Sequence, residues 1–155
     1  MKTAVIYFTK TGFTQKCVDL LKGKLAGEVK CFNLSKGQKL ELAEFDNIVV
    51  GGGIYAGRLA PKMKRFLKES RIENSGKNIG VFVTSGENRK EYITENFSES
   101  IIKNAAAEYF GGGMDTKKLS FIERTLLKII GKCRDFEKID ENAIDRFAKA
   151  MNSAN

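Results

Sequence analysis

The chain has 155 residues and a hydrophobic fraction of 42%, which suits one domain with a substantial core. Its net charge of +8 favours acidic partners, although a solvated basic surface is the commoner explanation, and no nucleic-acid-binding signature accompanies the lysines. No apolar run could span a bilayer, and three scattered cysteines argue against a disulfide frame or a zinc site. With no signal peptide in view, we expect a cytoplasmic protein.

Strands and helices alternate in the first third of the chain. An apolar run predicts a first strand from Lys2 to Phe8, and apolar residues at helical spacing predict a helix from Phe13 to Leu25. A second strand is predicted from Glu28 to Asn33. A third strand is predicted from Phe45 to Val50, ending abruptly at the glycines 51–53.

The alternation continues to the C-terminus. The further elements, in chain order, are a helix opened by Pro61 with a buried face of Leu59, Met63, Phe66 and Leu67; a fourth strand from Ile79 to Val83; a helix marked by Ile93, Phe97 and Ile101; a fifth strand from Glu108 to Gly111; a helix from Leu119 to Ile130; and a last helix from Glu141 to Met151, capped by Asp140.

This order of elements predicts an α/β fold in a single domain, residues 1–155, with a parallel sheet between two layers of helices. In such a sheet, ligands bind at the carboxyl ends of the strands. Three loops rich in Gly, Thr, Ser or Asn lie there: Thr9 to Thr14, Gly51 to Arg58, and Thr84 to Asn88. We therefore expect one ligand to contact all three loops.

The first of these loops carries the features of a phosphate cradle. The start of a helix presents free backbone N–H groups and a positive dipole end, which together favour an anion. Thr9, Thr11 and Thr14 can add hydroxyl donors, and Gly12 lets the backbone fold closely around the ligand. Lys10 can add positive charge at the rim. In the alternative, Thr11 and Thr14 only cap the helix.

The stretch from Thr9 to Thr14 resembles the phosphate loop of flavodoxins, Ser/Thr-x-Thr-Gly-x-Thr. The stretches from Gly52 to Arg58 and from Thr84 to Asn88 are similar to the two flavin-ring loops of that family. Within it, four stretches resemble the menaquinone-linked protoporphyrinogen oxidases: Gly52 to Arg58, Phe110 to Met114, Phe121 to Arg124 and Lys128 to Ile130. The resemblance implies a flavodoxin-like three-layer sandwich with a five-stranded parallel sheet in the order 2-1-3-4-5.

The same resemblance implies FMN as the cofactor and leaves any catalytic acid or base unassigned. Tyr55 is the candidate for stacking on the flavin ring, and its alternative is to pack under the helix that begins at Pro61. Glu87 is either a substrate-facing carboxylate or a solvated charge. The expected cofactor-binding residues are Thr9, Lys10, Thr11, Gly12, Phe13, Thr14, Gly53, Ile54, Tyr55, Ala56, Gly57, Thr84, Ser85, Gly86, Glu87 and Asn88.

Two functions follow from this interpretation. The first is an oxidoreductase that passes electrons from a reduced organic substrate, such as a porphyrinogen, to a quinone. The second is a small electron carrier that serves protein redox partners. A third hypothesis, a flavodoxin-like interaction module that has lost its flavin, is also open.

The helix from Leu119 to Ile130 is strongly two-sided. A basic face that includes an aromatic residue predicts peripheral contact with an anionic membrane, whereas an ordinary amphipathic helix with one exposed aromatic is the alternative. The stripe that we expect to be buried is Leu119, Ile122, Leu126, Ile129 and Ile130; the opposite face carries Lys117, Phe121, Arg124, Lys128 and Lys132.

Overall fold

The computed structural model describes residues 1–154 of the chain. The strands are β1 (Lys2–Phe8), β2 (Glu28–Asn33), β3 (Asn47–Tyr55), β4 (Arg58–Leu59), β5 (Asn78–Thr84), β6 (Ala106–Tyr109), β7 (Gly111–Met114) and β8 (Phe136–Ile139). The helices are α1 (Phe13–Lys22), α2 (Pro61–Ser70), α3 (Glu91–Asn96), α4 (Glu99–Ile102), α5 (Phe121–Ile129) and α6 (Glu141–Ser153).

The central sheet has five parallel strands in the order β2-β1-β3-β5-β6. The two-residue strand β4 extends it by folding back antiparallel on the end of β3. In the middle of the sheet Val5 of β1 lies between Cys31 of β2 and Val49 of β3. When only the parallel strands are numbered, this order becomes 2-1-3-4-5, which confirms the predicted flavodoxin-like sheet.

Helices cover both faces of the sheet because successive side chains of each strand point to opposite sides. Val5 and Tyr7 pack with α1 and α6 in one hydrophobic cluster, whereas Ala4 and Ile6 pack with α2, α3 and α4 in the other. The predicted N-cap of the last helix is confirmed, since the Asp140 carboxylate accepts a hydrogen bond from the Ala143 N–H at 2.9 Å. The predicted three-layer sandwich is therefore confirmed.

The predicted end of the third strand is wrong. The strand begins at Asn47 and continues through the glycines to Tyr55. Position 51, which lies inside the sheet, requires glycine because a Cβ there would lie 2.5 Å from the ring of Phe82. Gly51 thus marks the close approach of a neighbouring side chain, and such an approach is a common reason for glycine inside a strand.

Two further predictions in the second half need correction. The fifth strand of the parallel sheet is Ala106–Tyr109, so the predicted range Glu108 to Gly111 is shifted along the chain. The helix predicted from Ile93, Phe97 and Ile101 is two helices, because extended backbone at Phe97 and Ser98 separates α3 from α4.

In the first half of the chain, the first helix ends at Lys22, earlier than predicted.

The strands β7 and β8 form an antiparallel pair that was not predicted, and α5 lies between them in the chain. In α5 no residue is buried, so the stripe predicted to be buried is wrong for Ile122, Leu126, Ile129 and Ile130, which are exposed. The reason is that nothing in residues 1–154 packs over this side of the helix. Across the same residues no helix combines the length and the apolar character needed to cross a bilayer.

Candidate functional site

A cleft of about 710 Å³ opens at the carboxyl ends of β1, β3 and β5. Its size falls within the range of roughly 300–1,000 Å³ typical of small-molecule sites. All three predicted loops contribute to its walls. Three predicted residues, Lys10, Gly12 and Asn88, do not line the cleft. The predicted residues that line the cleft are Thr9, Thr11, Phe13, Thr14, Gly53, Ile54, Tyr55, Ala56, Gly57, Thr84, Ser85, Gly86 and Glu87.

The first loop leaves the start of α1 open toward the cleft. Gly12 precedes the helix with a φ of 91°, a left-handed conformation that glycine adopts without strain. Its N–H donates to the Thr9 hydroxyl oxygen at 3.0 Å, which folds the loop back on itself. No side chain caps the helix, and the first backbone bond runs from Lys16 N–H to Gly12 O at 3.2 Å. The amides of the first turn therefore remain available to an anion.

Two lysines lie beside this loop. The Nζ of Lys118 donates to the carbonyl oxygen of Thr11 at 3.1 Å, although the two residues are 107 positions apart in the sequence. The Nζ of Lys10 lies 5.6 Å from the centre of the Tyr55 ring and forms an ion pair with Glu123 of α5. Positive charge thus reaches the loop from outside the predicted motif as well as from within it.

The second loop is a tight β-hairpin. Tyr55 pairs with Arg58 across the turn, and both turn residues, Ala56 and Gly57, have positive φ angles of 48° and 78°. Such a two-residue turn matches the twist of the flanking strands. For Ala56 the left-handed conformation costs about 1–3 kcal/mol, and strain of this kind is concentrated at functional sites.

Tyr55 lies in the cleft wall, with 38% of its surface exposed. Its hydroxyl group lies over Gly53, because a Cβ on that glycine would be 2.9 Å from the Tyr55 hydroxyl oxygen. Burial raises the pKa of this hydroxyl, and a hydrogen bond from the backbone of Lys10 opposes that shift. The ring is therefore positioned between the first two loops, and its stacking on a flavin stays a prediction.

The third loop is held by contacts with β6 and with the antiparallel pair of β7 and β8. The Ser85 N–H donates to Gly111 O at 2.9 Å, and the Tyr109 hydroxyl donates to Ser85 O at 2.7 Å. Gly112 packs so closely that a Cβ there would lie 1.9 Å from Ser85 O. Only glycine permits this backbone approach. The loop is consequently fixed in place on two sides.

Glu87 is an exposed carboxylate at the rim of the cleft. Lys132 donates to one of its oxygens at 3.0 Å and Tyr92 to the other at 3.4 Å. The hydrogen bond and charge of Lys132 hold the pKa of Glu87 below its usual value. This environment supports the hypothesis of a solvated, ion-paired charge more than that of a proton acceptor.

Residues 4–139 match the family described as flavodoxin domain. The chain belongs to this flavodoxin family. A search of the curated proteins finds no match.

Solved structures show the same fold. A mutant flavodoxin of Fusobacterium nucleatum bound to flavin mononucleotide is 24% identical over 68% of this chain and 66% of that chain, with a TM-score of 0.51. Flavodoxin 1 of Bacillus cereus is 15% identical over 100% of this chain and 99% of its own, with a TM-score of 0.61. A flavodoxin of Streptococcus pneumoniae is 15% identical over the whole of both chains, with a TM-score of 0.58.

The cleft of this flavodoxin domain has one wall that sequence reasoning missed. This wall is formed by the segment 113–136, which connects β7 to β8 and lines the cleft. The glycines 111–113 were a usable signal, because a glycine run often marks close backbone contact. Gly113, for example, packs against the ring of Phe13. The unpredicted lining residues are Tyr92, Gly113, Met114, Leu127, Ile130, Gly131, Lys132, Arg134 and Phe136.

Proposed function

We propose that this flavodoxin domain binds FMN in the cleft and carries electrons between protein redox partners. The observation that carries the proposal is the convergence of three loops on one cleft: an uncapped helix start, an aromatic hairpin and a glycine-containing loop. Membership of the flavodoxin family supports it, as do relatives described as bound to flavin mononucleotide. FMN supplies the redox chemistry when bound, and the chain supplies binding and orientation.

The first loop fits the phosphate of FMN. The open amides at the start of α1 can donate to a dianion, and each charge-assisted hydrogen bond contributes about 1.5–3 kcal/mol. Thr9 and Thr11 line the cleft with hydroxyl groups. The hydroxyl of Thr14 is already used within the protein, where it shares a buried hydrogen bond with Thr84 at 2.9 Å. Lys118 adds a positive charge beside Thr11.

The remaining walls fit a flat ring with polar edges. Tyr55 and Ile54 line one side of the cleft, and Met114, Leu127 and Phe136 line the part contributed by the segment 113–136. Gly53 and Gly86 line the cleft and carry no side chain of their own, although Tyr55 lies over Gly53 and Phe136 lies close to Gly86. Apolar walls with a few fixed polar groups are typical of cofactor sites.

Titration with FMN tests the binding half of this proposal. We expect flavin fluorescence to be quenched on binding, and riboflavin, which lacks the phosphate, to bind at least tenfold more weakly. Thr11→Val should weaken FMN binding and leave riboflavin binding nearly unchanged. Thr125→Val, on the exposed part of α5, is the matched control. Equal affinity for the two flavins would contradict the assignment of the phosphate loop.

Partner identity is tested separately by reduction kinetics. The FMN-loaded protein should accept electrons from a flavodoxin reductase and pass them to a flavodoxin-dependent enzyme, followed by flavin absorbance. A protein that binds FMN but exchanges electrons with no such partner, while it turns over a small organic substrate, would exclude the carrier role.

A second candidate is the oxidation of a porphyrinogen-like substrate by a quinone. One observation favours it: the segment 113–136 adds the apolar side chains Met114, Leu127 and Ile130 to a cleft that already holds the ring-binding loops. In each step two electrons and two protons would leave the substrate, and one quinone would become its quinol. Anaerobic mixing of the FMN-loaded protein with a porphyrinogen and menaquinone, followed by porphyrin fluorescence, tests it.

A further inference from the structure

One short segment holds most of the large hydrophobic side chains that are exposed. Of the seven large hydrophobic side chains exposed in residues 1–154, five lie in or directly after α5. We call these five the α5 apolar face: Phe121 (81% exposed), Ile122 (71%), Leu126 (58%), Ile129 (76%) and Ile130 (62%). Isolated exposed apolar residues need no explanation, but five of them within the ten residues 121–130 are typical of an interaction site.

Polar contacts fix the orientation of α5 on the protein. Ser120 and Glu123 form a reciprocal capping box at its start. Glu123 also forms an ion pair with Lys10 of the first loop, and Arg124 donates to the carbonyl oxygen of Thr116 at 3.0 Å. The inner side of the helix is therefore anchored, and the α5 apolar face points outward as a consequence.

Basic residues outnumber acidic ones in the segment that carries this face. Residues 116–134 contain six basic residues and a single acidic one, Glu123, which is already paired with Lys10. A surface of this composition attracts an anionic partner over a distance of about a Debye length. The basic residues are Lys117, Lys118, Arg124, Lys128, Lys132 and Arg134.

We propose that the α5 apolar face docks on the surface of an anionic lipid bilayer. An apolar face bordered by lysine and arginine is the pattern with which a helix lies in the headgroup region, its apolar side chains among the acyl chains. A second copy of the chain fits less well, because two such faces would bring the same basic residues against each other. An acidic protein surface would satisfy the charge but not the protruding aliphatic and aromatic side chains.

Docking would bring the cleft to the lipid surface. Ile130 belongs both to the α5 apolar face and to the cleft wall, and Leu127 of the same helix also lines the cleft. The opening of the cleft therefore adjoins the docked face. Apart from Ile130, the residues of the α5 apolar face do not line the cleft, so the proposal does not depend on FMN binding.

Vesicle flotation of the full chain with added FMN tests the proposal. At low salt we expect the protein to float with phosphatidylcholine vesicles that contain phosphatidylglycerol, and at least fivefold less protein to float with phosphatidylcholine alone. Added salt should release the protein. Failure to bind the anionic vesicles at low salt, or equal binding to both kinds, would overturn the proposal.

Variants separate docking from folding. Leu126→Ser combined with Ile129→Ser should reduce flotation at least tenfold, because both side chains are exposed and neither lines the cleft. Lys128→Gln should reduce it several-fold, whereas Lys149→Gln, an equal charge change on the exposed side of α6, should have little effect. FMN affinity and the unfolding midpoint should be unchanged in all three variants.

Two readouts distinguish the other occupants. The chain has no tryptophan, so Phe121→Trp introduces a single tryptophan whose emission should shift to the blue with anionic vesicles. Light scattering should detect no dimer that forms through this face. Such a dimer would be lost in the variant with Leu126→Ser and Ile129→Ser. Dimerisation through this face without vesicle binding, or an unshifted tryptophan emission with vesicles, would assign the face to another partner and overturn the proposal.

Discussion

The hydroxyl oxygens of Thr14 and Thr84 lie 2.9 Å apart inside the protein, and both residues are almost completely buried. Thr14 belongs to the first turn of α1, and Thr84 is the last residue of β5. One hydrogen bond thus joins the first loop of the cleft to the third. Because both residues are almost completely buried, this hydrogen bond is largely shielded from solvent.

Thr14→Val should destabilise the protein by about 1–3 kcal/mol, since it leaves the Thr84 hydroxyl buried without a partner. Urea unfolding of the protein without FMN measures this loss. The double variant Thr14→Val with Thr84→Val should be more stable than the single variant, because replacing both partners leaves no unsatisfied group. Strictly additive losses would show that the two hydroxyls do not interact.

Gly12→Ala should weaken FMN binding beyond its effect on stability. Gly12 has a φ of 91°, and an added Cβ would lie 3.2 Å from the Nζ of Lys118. The left-handed backbone alone costs a non-glycine residue about 1–2 kcal/mol. The substitution should also displace Lys118 from the first loop. Flavin fluorescence titration and urea unfolding, performed on the same samples, separate the two effects.

Gly76→Ala is the matched control for this backbone strain. Gly76 has a φ of 68°, open space around its Cβ position, and a place before β5 at the end of the sheet opposite the cleft. We expect it to lose a similar amount of stability while keeping the FMN affinity of the unaltered protein. A parallel loss of FMN affinity would mean that the Gly12 effect is only global destabilisation.

Lys118→Gln should raise the Kd for FMN by about three- to tenfold, which corresponds to roughly 0.6–1.4 kcal/mol for an exposed charge. The reason is that Lys118 reaches the first loop through Thr11. Its effect should shrink at high salt and be absent for riboflavin. Lys117→Gln, next in the chain and also exposed, is the control. An equal effect of the two substitutions would assign Lys118 only a nonspecific role.

The centre of the sheet could be predicted from sequence because β1, the first half of β3 and β5 are nearly continuous apolar runs. The run in β1 leads directly into the threonines of the first loop, so the loop that we propose for the phosphate could be identified from the same stretch. Strands that are buried on both faces are read from composition alone. The carboxyl ends of such strands then place the three loops together.

The wall built by residues 113–136 could not be predicted in the same way. The glycines that lead into it, 111–113, have no side chains to show a strand period, and β8 is only four residues long. The exposure of Ile122 and Leu126 was also missed, because an apolar stripe normally predicts burial. Sequence periodicity identifies which residues share a face but not whether another element covers it.

The thiol of Cys17 lies fully buried in the core between α1 and the sheet, and its Sγ lies 3.8 Å from the carbonyl oxygen of Phe110. Burial, with a smaller effect from the charge of Glu137, raises the pKa of Cys17 from 9.0 to about 12. The folded state therefore keeps its proton in a range where the unfolded chain loses it.

The sign of the resulting pH dependence follows from proton binding. Between about pH 9 and 12 the folded state holds more protons than the unfolded state, so stability should fall as the pH rises, by up to roughly 1.4 kcal/mol per pH unit from this thiol. The free energy of unfolding of Cys17→Ala should fall less steeply over this interval. Identical slopes for the two proteins would show that Cys17 does not contribute to alkaline unfolding.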